Sequence, residues 1–322
     1  MKDSYNRTIE YMRISITDRC NLRCRYCMPK EAIPVGEKSL LTFEEICTIA
    51  EQGARLGIRW IKVTGGEPLM RKGCISLISM LKQIHGIEKV TLTTNGILLN
   101  EHLDGLVEAG IDGINVSLDT LDQDKYRKLT GGGDVEMVMK AILHGIRLPV
   151  PIKINAVSLD EDWQPLIRLA REYPMDVRFI ELMPVGYGKY VSGLSHERLL
   201  KDMKCRYPGM RRDKAYRGMG PAVYYQIPGF QGRIGMISAI HGKFCSTCNR
   251  VRLTSQGYFK PCLCYDMGMD LRRILRETTG ESEKKDRVYK AIEQGIKEKP
   301  GAHCFDRPEK ITEQRHMAAI GG

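Results

Sequence analysis

Three cysteines in the string DRCNLRCRYCMP, Cys20, Cys24 and Cys27, follow a β-type run with the spacing Cys-x3-Cys-x2-Cys. Three thiolates on one short loop can wrap a four-iron cluster and leave one iron without a protein ligand. That open iron can coordinate a substrate or cosubstrate. The competing reading is a structural zinc loop, but such sites are closed by four ligands with short Cys pairs. No His or Cys follows Cys27 until Cys47, inside a predicted helix.

A second group, Cys245-x2-Cys248-x13-Cys262, lies in FCSTCNRVRLTSQGYFKPCLC, with Cys264 as a possible extra thiol. Its spacing fits a closed zinc knuckle or a second open cluster. Arg250 and Arg252 beside it, and the iron-sulfur character of the first group, favour the cluster. Each arginine taken singly reads as a solvated or salt-bridged side chain; only the grouping near the cysteines lifts the pair above that. Gly65-Gly66-Glu67-Pro68 alone is an ordinary strand-to-helix turn, though glycines also let backbone approach a ligand closely. No GxxxxGK[ST] or GxGxxG cradle is present, Gly131-Gly132-Gly133 reads as a flexible loop, and His241, near the second group, is assigned no role.

The elements that must position these residues are strands alternating with amphipathic helices. Strands are predicted at Tyr11 to Thr17, Trp60 to Thr64, Lys89 to Thr94, Gly113 to Leu118, Pro151 to Val157 and Asp176 to Leu182. Thr42 to Leu56 reads as a helix with a Thr42/Glu45 capping box. Strand, helix, strand in sequence means a parallel α/β sheet with right-handed crossovers. About six such units predict an open, partial βα barrel. The polar and glycine signals fall after the strands, and the C-terminal ends of barrel strands converge on one face. Beyond about residue 190 the rhythm stops: short strands (Ala222 to Ile227, Arg233 to Ile240) precede the second cysteine group and a charged helix around Lys284 to Lys297. The expected division is residues 1–190 for the barrel and 191–322 for a smaller C-terminal α+β region carrying the second cluster.

The 322 residues are 42% apolar and 28% charged, which excludes disordered, collagenous and small disulfide-scaffold classes. Eleven cysteines, an odd number, point to reduced thiols holding metal. There is no apolar run of membrane-spanning length and no signal-peptide pattern at the start, so a cytoplasmic protein without a membrane partner is expected. A net charge of +11 suits an anionic partner, nucleic acid or a polyphosphate. Scattered aromatics, 7% of the chain, do not make the stacking stripe of a nucleic-acid binder.

Tyr26 just before the third cysteine, together with the GGEP turn, resembles the radical S-adenosylmethionine superfamily. The larger set, DRCNLRCRYCMP, TGGEPLMR, LTTNG, INVSLDT, VRFIELMPVG, FCSTCNRVRL and a terminal Gly321-Gly322, is similar to the GTP 3',8-cyclase family of molybdenum cofactor biosynthesis. That resemblance implies a lyase with two [4Fe-4S] clusters and S-adenosyl-L-methionine. Cys20, Cys24 and Cys27 would hold the first cluster, and Cys245, Cys248 and Cys262 the second. Tyr26, Gly66, Ser117 and Met183 would line the cosubstrate. Arg13, Lys62, Thr93, Lys153, Arg250 and Arg252 would bind GTP, and Gly321 and Gly322 would thread into the site. An external electron donor such as a flavodoxin, a downstream cyclic pyranopterin monophosphate synthase and a homodimer are the implied partners. Three departures stand out: Lys62 replaces the usual arginine, Ser158-Leu159-Asp160-Glu161-Asp162 replaces a Gly-x-Asn turn, and Cys264 is an extra thiol read as a bystander. A peptide-maturing radical enzyme with an auxiliary cluster is the competing assignment.

Overall fold

The structure is a computed structural model that describes residues 1–160, 162–215 and 218–321; Glu161 of the altered loop and Gly322 of the terminal pair lie outside the described residues. The strands are β1 (Tyr11–Ser15), β2 (Trp60–Thr64), β3 (Lys89–Thr94), β4 (Ile114–Ser117), β5 (Ile152–Val157), β6 (Asp176–Ile180), β7 (Arg211–Arg212), β8 (Val223–Gln226), β9 (Ile234–Ile237), β10 (Arg250–Leu253), β11 (Tyr258–Lys260) and β12 (Met269–Asp270). Among the described residues they form one sheet in the order β12-β11-β10-β1-β2-β3-β4-β5-β6-β9-β8-β7. From β10 to β9 every neighbour is parallel. Antiparallel strands flank this run, β11 and β12 at one edge and β8 and β7 at the other.

The expected open α/β barrel is therefore present, and the C-terminal region extends its sheet on both sides. β9 pairs with β6, and β10 pairs with β1. Several strands end sooner than the pattern predicts, as in β1 at Ser15 and β6 at Ile180, because the following residues peel away to build loops.

The helices are α1 (Phe43–Arg55), α2 (Cys74–Lys82), α3 (Leu99–Glu108), α4 (Gln123–Thr130), α5 (Val135–Gly145), α6 (Gln164–Glu172), α7 (His196–Arg206), α8 (Leu271–Glu277) and α9 (Glu281–Lys297). In α1 the predicted box forms in both directions: Glu45 N donates to Thr42 Oγ1 (3.2 Å), and Thr42 N donates to Glu45 Oε2 (2.7 Å). Its buried face, Ile46, Ile49 and Ala50, packs into the core, each isoleucine contributing roughly 2 kcal/mol by apolar burial.

The strands alternate. Met12 and Ile14, Ile61 and Val63, Val90 and Leu92, Ile114 and Val116, and Ile152 and Ile154 are buried in the hydrophobic core. Between them stand Arg13, Lys62, Thr91, Thr93, Asn115 and Lys153. A fully buried parallel sheet reads as continuous apolar residues. The alternation here means that one face carries the core and the other a polar interior.

Candidate active site

The first cysteine loop leaves β1 and is braced on α4, with Arg23 N and Arg25 N donating to the carbonyls of Thr130 (2.7 Å) and Leu129 (3.1 Å). Cys20 Sγ accepts from Leu22 N at 3.4 Å and from Asn95 Nδ2 at 3.8 Å. Burial pushes Cys24 well above the usual thiol range, and the negative charge of Cys27, Asp119 and Cys20 adds to it. Burial and Cys20 push Cys27 up to about 12, against a hydrogen bond from the Ala318 amide. Three half-buried thiols on one loop that disfavour one another's ionisation suit a polycationic metal group, which would reverse that repulsion by binding all three as thiolates.

The GGEP turn packs against this loop. Gly66 N donates to Thr17 O (2.7 Å) and Glu67 N to Arg19 O (2.8 Å). A Cβ on Gly66 would stand 2.3 Å from Arg19 O, and one on Gly65 2.6 Å from Thr17 O. The close approach that demands glycine here is backbone on backbone, joining β2 to the start of the cysteine loop. Glu67, quoted in the motif but given no role, is fully buried and accepts from Leu69 N (3.1 Å), Thr94 Oγ1 (2.8 Å) and Asn95 N (2.7 Å). Burial outweighs those donors and raises its carboxyl to about 7.

Tyr26 donates its hydroxyl to Asp119 Oδ2 (2.7 Å), while Val157 N donates to Asp119 Oδ1 (2.7 Å). Tyr26 thus ties the cysteine loop to the ends of β4 and β5. Burial raises Asp119 to about 6. Ser117 pairs in register with Asn155, whose Oδ1 is buried without a hydrogen-bond partner among the described residues. Met183 follows β6, and its carbonyl accepts from Val185 N at 2.8 Å. A 540 Å³ cleft lined by Arg25, Asp119, Val157 and Trp163 adjoins these residues; it does not include the basic side chains of the strands.

Those basic side chains form a belt. Arg252, Arg13 and Lys62 are register neighbours on β10, β1 and β2. Thr93, Asn115 and Lys153 are neighbours on β3, β4 and β5, and Asn155 pairs with Arg178 on β6. Burial drives Lys62 well below the ordinary lysine range, and the other charges it senses, Arg178, Arg13 and Lys153, are all positive. Burial, then Arg13 and Arg250, bring Arg252 down to about 9. Arg13 Nε and Arg178 Nε are buried without partners among the described residues. Lys153 differs, being paired with Asp176 Oδ2 at 2.9 Å and in contact with the Tyr224 hydroxyl at 3.3 Å. A cluster of half-buried guanidinium and ammonium groups, with the Arg13 and Arg178 Nε donors unused among the described residues, suits a multiply charged anion.

Arg178 was not singled out from the sequence. It hydrogen-bonds Asn115 Oδ1, and a Cβ on its neighbour Gly235 would stand 2.7 Å from its Cγ. The strand alternation of VRFIEL, with Val177 and Phe179 buried in the core, was the signal available for it.

At the second group, burial raises Cys245, opposed by the His303 amide at 3.4 Å and reinforced by Cys248 and Cys262. Burial alone would raise Cys248 too, but Lys299 and Arg250 outweigh it and bring the thiol down to about 7. Arg250 Nη2 lies 3.8 Å from Cys248 Sγ, and its guanidinium stacks 4.7 Å from the Phe244 ring centroid. Cys245 senses the charges of Cys248 and Cys262, so the three half-buried thiols share one neighbourhood. Cys264 turns to Cys304 instead, Sγ to Sγ 3.3 Å, both buried. His241 donates or accepts at Glu181 and takes no part in the cysteine group.

Because β10 runs parallel to β1, the two groups stand at opposite ends of neighbouring strands. Cys248 precedes β10 and Cys20 follows β1, a separation on the order of 15 Å for strands of this length. Arg13 and Arg252 lie between them. The chain's last described residues cross the same space: Met317 N donates to Cys27 O (3.0 Å), and Arg252 Nη1 donates to Gly321 O (3.3 Å). Gly321 has φ +86°, and a Cβ there would sit 3.2 Å from Ser15 Cβ.

Two family models match the chain: the radical SAM superfamily over residues 14–173 and Molybdenum Cofactor Synthesis C over 175–305. Curated relatives cover the chain end to end. The GTP 3',8-cyclase of Clostridium perfringens (strain 13 / Type A) is 41% identical over 327 residues, covering 100% of both chains. That of Alkaliphilus oremlandii is 42% identical over 332 residues, again covering 100% of both. Among solved structures, Streptococcus suis SuiB bound to S-adenosylmethionine shares the fold, with a TM-score of 0.65 at 14% identity over 97% of this chain and 77% of that one.

Proposed function

The chain belongs to the GTP 3',8-cyclase family, and from that premise we propose how its own residues serve the conversion of GTP to 3',8-cyclo-7,8-dihydroguanosine 5'-triphosphate in molybdenum cofactor biosynthesis. Membership of the radical SAM superfamily brings one [4Fe-4S] cluster and S-adenosyl-L-methionine. When bound, they would supply the radical chemistry that begins at C3' of the GTP ribose. Cys20, Cys24 and Cys27 would hold that cluster, while Tyr26, Gly66, Ser117 and Met183 would line the cosubstrate. Cys245, Cys248 and Cys262 would hold a second [4Fe-4S] cluster on the guanine side.

The observation that carries this reading is the cationic belt lying between the two cysteine groups. Arg13, Lys62, Arg252 and Arg178 bind the triphosphate, joined by Thr93, Lys153 and, beside the second cysteine group, Arg250. Guanidinium groups bind phosphate oxygens bidentately, and the ammonium groups act as point charges. Anchored at both ends, the nucleotide would present C3' to the first site, where hydrogen transfer requires a near-attack distance of roughly 3 to 3.5 Å. The tail through Gly321 excludes water from one side of that space.

Residues 1–190 form the radical SAM unit and 191–322 the region that completes the substrate site. Electrons come from an external donor such as a flavodoxin. The product passes to a cyclic pyranopterin monophosphate synthase, and the protein works as a homodimer in the cytoplasm. No described helix is long and apolar enough to cross a membrane.

The test is an anaerobic assay of reconstituted, dithionite-reduced protein with S-adenosylmethionine and GTP, ATP or no nucleotide. The expected result is 5'-deoxyadenosine release that requires GTP, together with a cyclised nucleotide of the mass of GTP. Release indifferent to GTP would overturn the substrate assignment and return the peptide-maturing alternative.

A further inference from the structure

One buried charged pair serves neither cysteine group nor the cationic belt. Lys260, at the end of β11, is fully buried and donates from Nζ to the Tyr265 carbonyl (2.6 Å) and to Glu313 Oε2. Glu313 is itself 2% exposed. Its Oε1 accepts from Arg315 N (2.8 Å) and Nε (3.0 Å), and its Oε2 from Arg315 Nη2 (2.9 Å). Arg315 reaches on to Asp266 Oδ1 at 2.7 Å. The Glu313 amide donates to Cys264 O (3.3 Å), two residues beyond the second-group ligand Cys262.

A buried ion pair is a weak source of stability, because both charges lose their hydration; its best-attested use is to fix a register. Register is what the following residues require. Arg315 O and His316 Cα pass where a Cβ on Gly186 would stand 2.9 Å from each. Then Met317 N donates to Cys27 O at 3.0 Å, which brings the Ala318 amide beside the Cys27 sulfur, and Arg252 Nη1 donates to Gly321 O at 3.3 Å. A slip of one residue would lose all three together.

We propose that the Lys260–Glu313–Arg315 group is a positioning latch. Anchored beside the second cysteine group, it delivers the Met317–Gly321 segment onto the first cysteine loop, so that the Met317 amide is held on the Cys27 carbonyl and the Ala318 amide is brought beside its sulfur. Hydrogen bonds to cluster sulfurs help set the reduction potential, so Glu313 acts on the first site through the segment it holds. The inference rests on the reading of Cys27 as a first-cluster ligand.

The decisive measurement is amide hydrogen exchange at Met317 and Ala318 in the full-length reconstituted protein without GTP, with the first cluster's midpoint potential measured on the same samples. In Glu313→Gln both amides should exchange at least tenfold faster and the potential should fall. Glu313→Asp should recover part of both changes. Arg315→Ala, which removes a partly exposed partner of the carboxylate, should move both in the same direction by less, and it decides the matter if Glu313→Gln does not fold. Unchanged exchange and potential, with only a lower melting temperature, would mean that the pair is structural and would overturn the latch. Wild-type protein that fails to cyclise GTP while the exchange results hold would remove the substrate reading and leave the latch standing.

Discussion

Lys62 is a half-buried ammonium whose charged neighbours are cations, and desolvation together with those charges lowers its pKa. The sign of the consequence follows from linkage. A bound polyphosphate favours the charged form, so a site whose free lysine has a lowered pKa takes up a proton on binding, and affinity falls as pH rises through that lowered value. GTP affinity measured by calorimetry in two buffers of different ionisation enthalpy should reveal that uptake. Lys62→Arg should abolish it, because a guanidinium stays protonated throughout; an unchanged uptake in the variant would rule Lys62 out as its source. Glu67 poses the opposite case. Its two oxygens face donors on every side, so Glu67→Gln aims an amide NH2 at one of them and should destabilise the protein by about 1–3 kcal/mol in urea unfolding. Both cysteine groups were legible in the sequence because each is largely defined by spacing along the chain. Glu67 and Asp119 were not, because the groups that give them meaning, Asn95 N and Thr94 Oγ1 for one and Tyr26 and Val157 N for the other, come from elements distant in sequence.

At the scale of the element, six strands were legible in the sequence because β-branched runs, turn signals and helical stretches repeat in order. The parallel membership of β9 and β10 was not, since a short strand beside a hairpin carries no mark of a parallel partner far away in the chain. Arg178 was hidden for the same reason: it has meaning only when β6 is set against β5 and β9, where Gly235 leaves it room. Gly235→Ala puts a methyl 2.7 Å from Arg178 Cγ; the flexible side chain can yield, so the fold should survive while GTP affinity drops several-fold, about 1 kcal/mol. Gly66→Ala meets a carbonyl oxygen at 2.3 Å, and backbone cannot yield in that way. It should cost about 1–3 kcal/mol or more and reduce iron retained by the first group. Iron content and melting temperature at wild-type levels would contradict the close packing seen there.

At the scale of the whole molecule, two cysteine groups that each hold a cluster, as proposed, should be separable by mutation. Cys248→Ala should leave the first group's iron and its binding of S-adenosylmethionine in place while removing the second complement of metal, read by iron analysis and by spectroscopy of the remaining cluster. Loss of all iron in that variant would show that the sites are not independent. The net charge of +11 and the half-buried belt should make association with GTP depend on ionic strength. How the two cysteine groups face each other was not legible in the sequence. That arrangement arises when β10 adds to β1 and brings Arg252 beside Arg13.

The same pairing sets an order of events during synthesis. β1 is made early, yet its outer edge stays without its partner until β10 has emerged from the ribosome, and an uncovered strand edge invites the wrong neighbour. The nascent barrel is thus exposed for most of its own translation and should depend on chaperones in that interval. Arg178 lies on β6 and Arg252 on β10, so the cationic belt is complete only once β10 has been made.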